Sequence, residues 1–259
     1  MIGFFMQVNY FKYQSSGNNF VLIDNIKQKT DFKPIMTKLI DSQHVKESDG
    51  VLIINRSDKY DFNLNFYNPD GTSSFCGNGS LCSLHYLYNK NFLNDSSHFI
   101  SYGINCLAKI GSEIKLKMID IKSVIKIYDG YFVNSGAPHF IKFLDYDINK
   151  IDMQKEVTKI KSYDFYLKTP FNINFVQRKK DHILIRTFEK GVERETLSCG
   201  TGAVAAIVAS SQIFEDRFNL IKAKGGDLNV NYERRDELFQ NIYLSASPIM
   251  EECGIINII

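Results

Sequence analysis

The chain has 259 residues, of which 44% are hydrophobic and 23% are charged, and its formal net charge is +2. This composition is typical of a globular protein with one large domain or two medium ones. A charge so close to zero provides no strong field for binding nucleic acid or an anionic membrane. No apolar stretch reaches the roughly 20 residues that a membrane-spanning helix needs, so we expect neither nucleic acid nor a membrane as a partner.

Taken in chain order, the predicted elements are mostly strands. Apolar runs and alternating patterns predict strands at residues 51–55, 62–67, 113–118, 123–128, 183–188 and 227–232. Helices are predicted after Pro34, over about 149–161, and after Gly79 and Gly202. The sequence therefore predicts an α+β fold.

The five cysteines are not expected to form a disulfide framework. Their number is odd and their spacing is irregular. The N-terminal residues lack the basic region and the cleavage site of a signal peptide, so we expect a cytoplasmic protein with reduced thiols. Cys82, Cys106 and Cys253 are predicted to be small core residues.

The remaining two cysteines begin similar stretches, "CGNGSLCSLHYLY" from Cys76 and "CGTGAVAAIVASS" from Cys199. Each has Cys-Gly-x-Gly before a short apolar helix without a charged face, which predicts a buried helix. One copy in each half of the chain is a repeat signal. We expect two similar α+β halves that meet near residues 115–125, each with strands packed around its central helix.

The Cys-Gly-x-Gly pattern combines an anion site with an activated thiol. Unpaired N–H groups and partial positive charge at a helix N-terminus favour a bound anion, and the same field favours the thiolate form of a cysteine. If the halves face each other, a carboxylate held between the helices would have a thiol on either side of its α-carbon. One thiolate can then remove the α-proton while the other thiol returns one to the opposite face. This predicts racemisation or epimerisation that needs no cofactor.

Two other chemistries fit the pattern less well. A zinc site needs further Cys or His at ligand spacing, and Cys76 and Cys82 have no second pair. A P-loop has Lys and then Ser or Thr after its glycines, which neither copy has. We therefore predict no metal site.

The sequence resembles the diaminopimelate epimerase family over nearly its whole length. The matching stretches are "FKYQSSGNNFVLIDN" from Phe11, "YNPDGTSSFCGNGSLC" from Tyr67, "NSGAPHF" from Asn134, "NINFV" from Asn172, "FEKGVERETLSCGTGAVAA" from Phe188 and "GGDLNV" from Gly225. The likeness begins near Met6, so Met1 and Met6 are both candidate starts. It implies two pseudo-symmetric domains, residues 1–118 with 245–259 returning to them and residues 119–244, each a mostly antiparallel sheet curled around a central helix. It also implies a homodimeric, cofactor-independent enzyme that interconverts LL- and meso-2,6-diaminopimelate for lysine and peptidoglycan synthesis.

The resemblance also implies roles for individual residues. The acid–base pair would be Cys76 and Cys199, with His139 and Glu189 placed beside the two thiols as catalytic residues. Substrate contacts would come from Asn18, Asn68, Gly77, Asn78, Asn172, Glu189, Lys190, Gly200 and Thr201. The backbone of Gly77, Asn78, Gly200 and Thr201 would bind the reacting carboxylate.

Some positions depart from the family pattern. Ala137 stands where a substrate-binding Asn is common, and Lys190 replaces an Arg that would grip the distal carboxylate. Lysine offers only a point charge there. Asn19, Ser15 and Leu81 replace a common Asp, Gly and Arg respectively. These changes leave open an epimerase for another amino acid, or a binding protein that keeps the fold without the chemistry.

Overall fold

The computed structural model describes residues 6–215 and 217–258. The choice between Met1 and Met6 as the start concerns residues 1–5, which lie outside the described residues. By their internal contacts, the described residues form two compact units: those up to residue 116 with those from 246 onward, and those of 117–245.

The first unit is rich in strands. Its strands are β1 (Met6–Ser15), β2 (Asn18–Asp24), β3 (Gly50–Asn55), β4 (Asn63–Tyr67), β5 (Ser73–Ser74), β6 (Ser96–Ser101), β7 (Ile104–Lys109), β8 (Lys115–Lys117, which ends at the boundary) and the C-terminal β18 (Ile249–Ile258). Its helices are α1 (Met36–Ile40), α2 (Gln43–Lys46) and α3 (Gly77–Asn89).

The second unit repeats this composition. Its strands are β9 (Ile125–Ile127), β10 (Gly130–Asn134), β11 (Pro138–Leu144), β12 (Asn172–Arg178), β13 (Ile183–Glu189), β14 (Arg194–Thr196), β15 (Leu220–Ala223), β16 (Gly226–Arg235) and β17 (Leu238–Ser245). Its helices are α4 (Met153–Lys161), α5 (Asp164–Lys168) and α6 (Gly200–Ser210).

The two units share one connection pattern. In the first, β1 and β2 form a hairpin, β2 pairs parallel with β3, β3 antiparallel with β4, and β4 antiparallel with β5 and parallel with β6. In the second, β10, β11, β12, β13, β14 and β15 follow the same sequence of pairings. The repeat read from the two cysteine motifs is therefore a repeat of topology. Together with the strand-rich composition, it confirms the predicted α+β class.

In each unit, two helices pack on an apolar cluster and a third, buried helix lies against several strands. In the first, α1 and α2 contribute Met36, Leu39 and Val45 to an apolar cluster with Val21 and Ile23 of β2. The almost fully buried α3 lies against β1, β2, β3 and β4. In the second, α4 and α5 pack on an aromatic cluster, and α6 lies against β10, β11, β12, β13, β16 and β17. Residues 20–23 of β2 and 51–54 of β3 are buried in succession and form continuous apolar runs, as expected for strands covered on both faces.

Several predicted elements have different bounds. The strands predicted at 113–118 and 123–128 are shorter in the structure, where they are β8 (Lys115–Lys117) and β9 (Ile125–Ile127). The helix predicted over 149–161 begins at Met153, where the Asp152 side chain accepts the N–H of Lys155 at 3.0 Å. Pro34 lies in a 3-10 turn that continues into α1.

Of the three cysteines predicted to be core residues, two are buried and one is not. Cys82 and Cys106 are buried, as predicted. The prediction for Cys253 is wrong, because its side chain is exposed on β18. Most of β18 is exposed, although its backbone pairs with β1, so an apolar residue type there does not lead to burial.

No helix in the described part of the chain is long and apolar enough to cross a membrane.

Candidate active site

Both Cys-Gly-x-Gly stretches begin a helix in the same way. Cys76 is the N-cap of α3 with φ −133° and ψ 113°, and Cys199 is the N-cap of α6 with φ −140° and ψ 112°. The helices therefore begin at Gly77 and Gly200, two residues before the predicted glycines. The reason is that the cysteine keeps an extended backbone and the glycine pair fills the first turn. Each thiol lies at the positive end of a buried helix, where a negative charge is favoured.

The second glycine of each pair allows close packing. A Cβ at Gly79 would lie 2.6 Å from a methyl carbon of Leu52, and a Cβ at Gly202 would lie 2.6 Å from the side-chain oxygen of Asn174. Real Cβ atoms do not come this near to other atoms. These glycines therefore let the thiol-bearing end of each helix approach the sheet.

In the first unit, Cys76 is bound to its own helix. Its half-buried sulfur accepts the N–H of Gly79 at 3.4 Å. Its carbonyl oxygen accepts from the N–H and the hydroxyl of Ser80, at 2.9 and 2.8 Å. These contacts fix the direction of the Cα–Cβ bond, and hence the position from which the sulfur acts.

Two of the predicted substrate-binding asparagines come together beside Cys76. The amide nitrogen of Asn78 donates to the side-chain oxygen of Asn18 at 2.8 Å. The carboxylate of Asp49 accepts the N–H of Asn19 at 2.9 Å and the amide of Asn18 at 3.4 Å. Asp49, which sequence reasoning missed, thus orients Asn18 so that its oxygen faces Asn78.

Asn68 occupies a different position, at the start of the turn between β4 and β5. Its amide nitrogen lies 3.2 Å from the carbonyl oxygen and 3.1 Å from the hydroxyl of Thr72. It also lies 3.4 Å from the hydroxyl of Ser74 in β5, the strand that leads to Cys76. Its bonded partners are in this turn rather than among the other asparagines.

In the second unit, Cys199 is joined to a carboxyl group. Glu189, at the end of β13, makes a side-chain hydrogen bond with Cys199. The hydroxyl of Thr196 donates to the same carboxyl group at 2.6 Å. Burial raises the pKa of Glu189 above its ordinary value, against the opposing effect of these hydrogen bonds. A half-buried carboxyl group with a raised pKa that is bonded to a thiol is suited to exchanging a proton with it.

His139 lies on β11 and is fully buried. Its Nε2 is 2.9 Å from the hydroxyl oxygen of Thr201, and that oxygen is 3.5 Å from the sulfur of Cys199. Burial lowers the pKa of His139 to about 3, so the imidazole is neutral at physiological pH. Within this unit, the histidine reaches a thiol through Thr201.

Asn172 and Lys190 meet through the backbone. The side-chain oxygen of Asn172 accepts the N–H of Lys190 at 2.9 Å. The side chain of Lys190 itself is exposed. The strand register sets His139 directly beside Asn172. One cluster of the second unit therefore contains all seven site residues predicted from this part of the sequence: His139, Asn172, Glu189, Lys190, Cys199, Gly200 and Thr201.

Departures from the family pattern fall at the edges of these clusters. Ala137 lies in the turn between β10 and β11, where its carbonyl oxygen accepts the N–H of Ser135 at 3.1 Å. Leu81 is fully buried in α3, which explains an apolar residue there. Ser15 ends β1 with a buried hydroxyl that has no hydrogen-bond partner among the described residues.

Sequence reasoning missed two further members of the second cluster, Asn174 and Thr187. Both are buried: Asn174 is hydrogen-bonded to His139, and Thr187 is hydrogen-bonded to Asn174. A signal was present for Asn174, because "NINF" places Asn172 and Asn174 on one face of a strand that is otherwise apolar. Nothing in the sequence marks Thr187, since threonine is common in strands.

Among the described residues, no group of three or more His, Cys, Asp or Glu side chains is arranged to hold a metal ion.

Comparison with known proteins gives a consistent family. The family profile described as "Diaminopimelate epimerase" matches residues 10–101 and 131–246. A diaminopimelate epimerase of Flavobacterium psychrophilum is 36% identical over 248 residues, which cover 91% of this chain and 95% of that protein. A diaminopimelate epimerase of Aquifex aeolicus is 28% identical over 271 residues, which cover 93% of this chain and 94% of that protein.

Solved structures support the fold at low sequence identity. A PhzF-family phenazine biosynthesis protein of Bacillus anthracis matches with a TM-score of 0.72 at 12% identity, covering 97% of this chain and 99% of that one. A probable proline racemase of Agrobacterium radiobacter matches with a TM-score of 0.62 at 11% identity, covering 95% and 92%. At these identities the likeness is one of fold.

Proposed function

Because the chain belongs to the diaminopimelate epimerase family, we propose that it is an epimerase that interconverts LL- and meso-2,6-diaminopimelate. The observation that carries this proposal is the matched pair of N-caps, Cys76 on α3 and Cys199 on α6. Two equivalent thiols at two equivalent helix ends are what inversion at one carbon requires. We place the reaction in lysine and peptidoglycan precursor synthesis, in the cytoplasm.

The proposed mechanism is proton transfer by two bases. One cysteine, as thiolate, removes the α-proton, and the other, as thiol, delivers a proton to the opposite face. The halves must therefore bring Cys76 and Cys199 to opposite sides of the α-carbon. The carbanion places negative charge on the adjacent carboxylate, and backbone N–H groups at a helix end stabilise such charge. Gly77 and Asn78 on α3 and Gly200 and Thr201 on α6 would supply these donors without any cofactor.

Glu189 and the polar residues complete the proposed site. Glu189 is hydrogen-bonded to Cys199 and would hold the proton that the thiol gives up. His139 would act on the same thiol through Thr201. Asn18, Asn68 and Asn172 would bind the polar groups of the substrate, and Lys190 its distal carboxylate. As in the family expectation, the enzyme would be a homodimer.

Hydrogen exchange tests the reaction directly. Reduced protein is incubated with LL-diaminopimelate in deuterated water, and the product is separated and analysed by mass spectrometry. We expect meso product with deuterium at one α-carbon. Folded protein that yields neither meso product nor deuterium incorporation would overturn the proposal.

A second candidate is an epimerase for another amino acid, and the observation that favours it is the exposed Lys190. A lysine gives a distal carboxylate one point of charge rather than a two-pronged grip. The same exchange assay on a panel of amino acids decides between the two. Exchange confined to diaminopimelate removes the second candidate, whereas faster exchange on a substrate without a distal carboxylate supports it.

A further inference from the structure

A continuous chain of polar side chains leads from the interior of the second unit to Cys199. The hydroxyl of Thr187 is 2.9 Å from the side-chain oxygen of Asn174, whose amide nitrogen is 3.0 Å from Nδ1 of His139. From the histidine, Nε2 lies 2.9 Å from the Thr201 hydroxyl, which is 3.5 Å from the Cys199 sulfur. Asn174 and His139 are completely inaccessible to solvent, so no exchange with bulk water relaxes their hydrogen bonds.

The orientation of the Asn174 amide is decided by a backbone group. Its nitrogen lies 3.1 Å from the carbonyl oxygen of Phe140, which can only accept a hydrogen bond. The opposite orientation would place the Asn174 oxygen against this carbonyl oxygen. The amide nitrogen therefore faces both Phe140 and Nδ1 of His139, and the oxygen faces the Thr187 hydroxyl.

The tautomer of His139 follows from this orientation. Since Nδ1 accepts from an NH2 group, it carries no proton, and a neutral imidazole then carries its proton on Nε2. A longer contact of 3.4 Å, from the Asn172 amide nitrogen to Nε2, does not compete. If it were a hydrogen bond, both ring nitrogens would be acceptors, which a neutral ring does not allow.

The tautomer of His139 also sets the direction of hydrogen-bond donation between Thr201 and the sulfur of Cys199. Because Nε2–H donates to Thr201, the threonine hydroxyl has its own hydrogen free to point to Cys199. A hydroxyl donor favours a thiolate over a thiol. The ionisable group that faces Cys199 from β13 is Glu189, and it can take the displaced proton. His139 faces the same end of α6 from β11 and is held neutral by its burial.

We propose that Asn174 and Thr187 are positioning residues that hold His139 as its Nε2–H tautomer. Because Nε2–H then donates to Thr201, the Thr201 hydroxyl donates to Cys199 and favours its thiolate. The acid–base role of Cys199 rests on the proposed function, whereas the tautomer does not. In this arrangement His139 keeps its Nε2 proton throughout turnover and neither accepts nor releases one. The proton of Cys199 moves to the Glu189 carboxylate, which leaves a thiolate and a neutral carboxyl group.

The first test is the tautomer itself. Protein labelled with 15N-histidine is studied by NMR, and the His139 signals are assigned by their loss in His139→Gln. We expect a protonated Nε2 and an unprotonated Nδ1 with no titration between about pH 5 and 8, the range in which an ordinary histidine titrates. A proton on Nδ1, or a titration within that range, would overturn the proposal.

The second test compares Thr201→Val with Thr201→Ser. Valine keeps the shape of threonine but removes the hydroxyl, whereas serine keeps the hydroxyl. Alkylation of Cys199 by iodoacetamide at neutral pH is followed by peptide mass spectrometry, with Cys76 in the same sample as an internal reference. We expect alkylation of Cys199 to slow about three- to tenfold in Thr201→Val, the usual range for loss of one hydrogen bond, and to change little in Thr201→Ser.

Equal rates in the two Thr201 variants would contradict the proposal, and so would an equal slowing of Cys76. The matched variant Thr187→Val removes the hydroxyl that donates to the Asn174 side-chain oxygen. In the NMR experiment it should lower the fraction of His139 that carries its proton on Nε2. Neither measurement uses a substrate. If both succeed while diaminopimelate fails to exchange, only the proposed function fails.

Discussion

The half-buried carboxyl group of Glu189 is hydrogen-bonded to the thiol of Cys199, ten positions further along the chain. The hairpin of β13 and β14 brings the carboxyl back toward α6, and Thr196 of β14 holds it at 2.6 Å. The thiol at a helix N-terminus thus has a proton acceptor within the same unit. This pair has consequences for both stability and catalysis.

Replacing Glu189 with Gln should raise stability at neutral pH while removing activity. Because the pKa of Glu189 is higher in the folded protein, the folded state binds more protons, and stability falls as pH rises from the unfolded pKa through the folded one. Glutamine does not ionise, so Glu189→Gln should melt at a higher temperature than the parent at pH 7 and at a similar temperature below about pH 4. Loss of proton transfer should lower kcat by about 100-fold or more.

Thermal melts over a pH series and steady-state kinetics check both halves of this prediction. Glu195 is a suitable control position, because it lies next to Thr196 but pairs with Arg186 at 2.6 Å. Glu195→Gln should lower the melting temperature at pH 7 and spare the chemical step. A Glu189→Gln variant less stable than the parent at pH 7 would contradict the argument from burial.

Both cysteines at the N-caps should be necessary for epimerisation. Cys76→Ala and Cys199→Ala each remove one of two bases, so net conversion should fall by about 100- to 10,000-fold, the range for general acid–base catalysis. The matched control is Cys253→Ala, since Cys253 is exposed. It should keep full activity. Activity lost in the control, or kept in either site variant, would count against the two-base mechanism.

Oxidation should join the two proposed catalytic thiols. In the proposed mechanism the two sulfurs flank one α-carbon, so a disulfide reagent should join them: one thiolate attacks the reagent, and the second thiolate then displaces the reagent's thiol from the mixed disulfide. We expect mild oxidation to stop activity, peptide mapping to find Cys76 linked to Cys199, and dithiothreitol to restore turnover. Mapping is best done in Cys253→Ala, which lacks the exposed thiol. Inactivation with both thiols free would refute the prediction.

Gly202→Ala should damage the second cluster. The new Cβ would lie 2.6 Å from the Asn174 oxygen and 3.4 Å from a ring carbon of His139. Overpacking of this kind costs about 1–3 kcal/mol, measured as a fall in the free energy of unfolding in urea. Gly111→Ala is the control, because nothing lies within 4 Å of its added Cβ. Similar losses in the two variants would mean that the close approach is not the cause.

Lys190 should affect substrate binding more than the chemical step. Its exposed side chain is the proposed partner of the distal carboxylate, so Lys190→Met should raise KM about tenfold with a smaller effect on kcat. Lys190→Arg offers a two-pronged grip and should keep or lower KM. The comparison uses initial rates over a range of diaminopimelate concentrations. An unchanged KM in Lys190→Met would exclude this lysine from binding.

The sequence by itself determined the features that depend on neighbouring residues. The repeat of Cys-Gly-x-Gly, the burial of the two apolar helices and the positions of six of the eighteen described strands follow from local patterns, because capping and amphipathic periodicity act within a few residues. Even here the helix starts were displaced to Gly77 and Gly200, since the choice of N-cap depends on the conformation of the cysteine itself.

Tertiary structure alone decided which polar groups meet. Thr201 contacts His139 from 62 positions away, and Asn174 orients it from 35 positions away. Strand register and the close approach at Gly202 bring these residues together, and neither can be read from residue types. Cys253 gives the converse case, since its small, weakly polar side chain suits a core but lies exposed on β18. Burial and hydrogen bonding of such residues depend on what packs against them, which is a property of the folded chain.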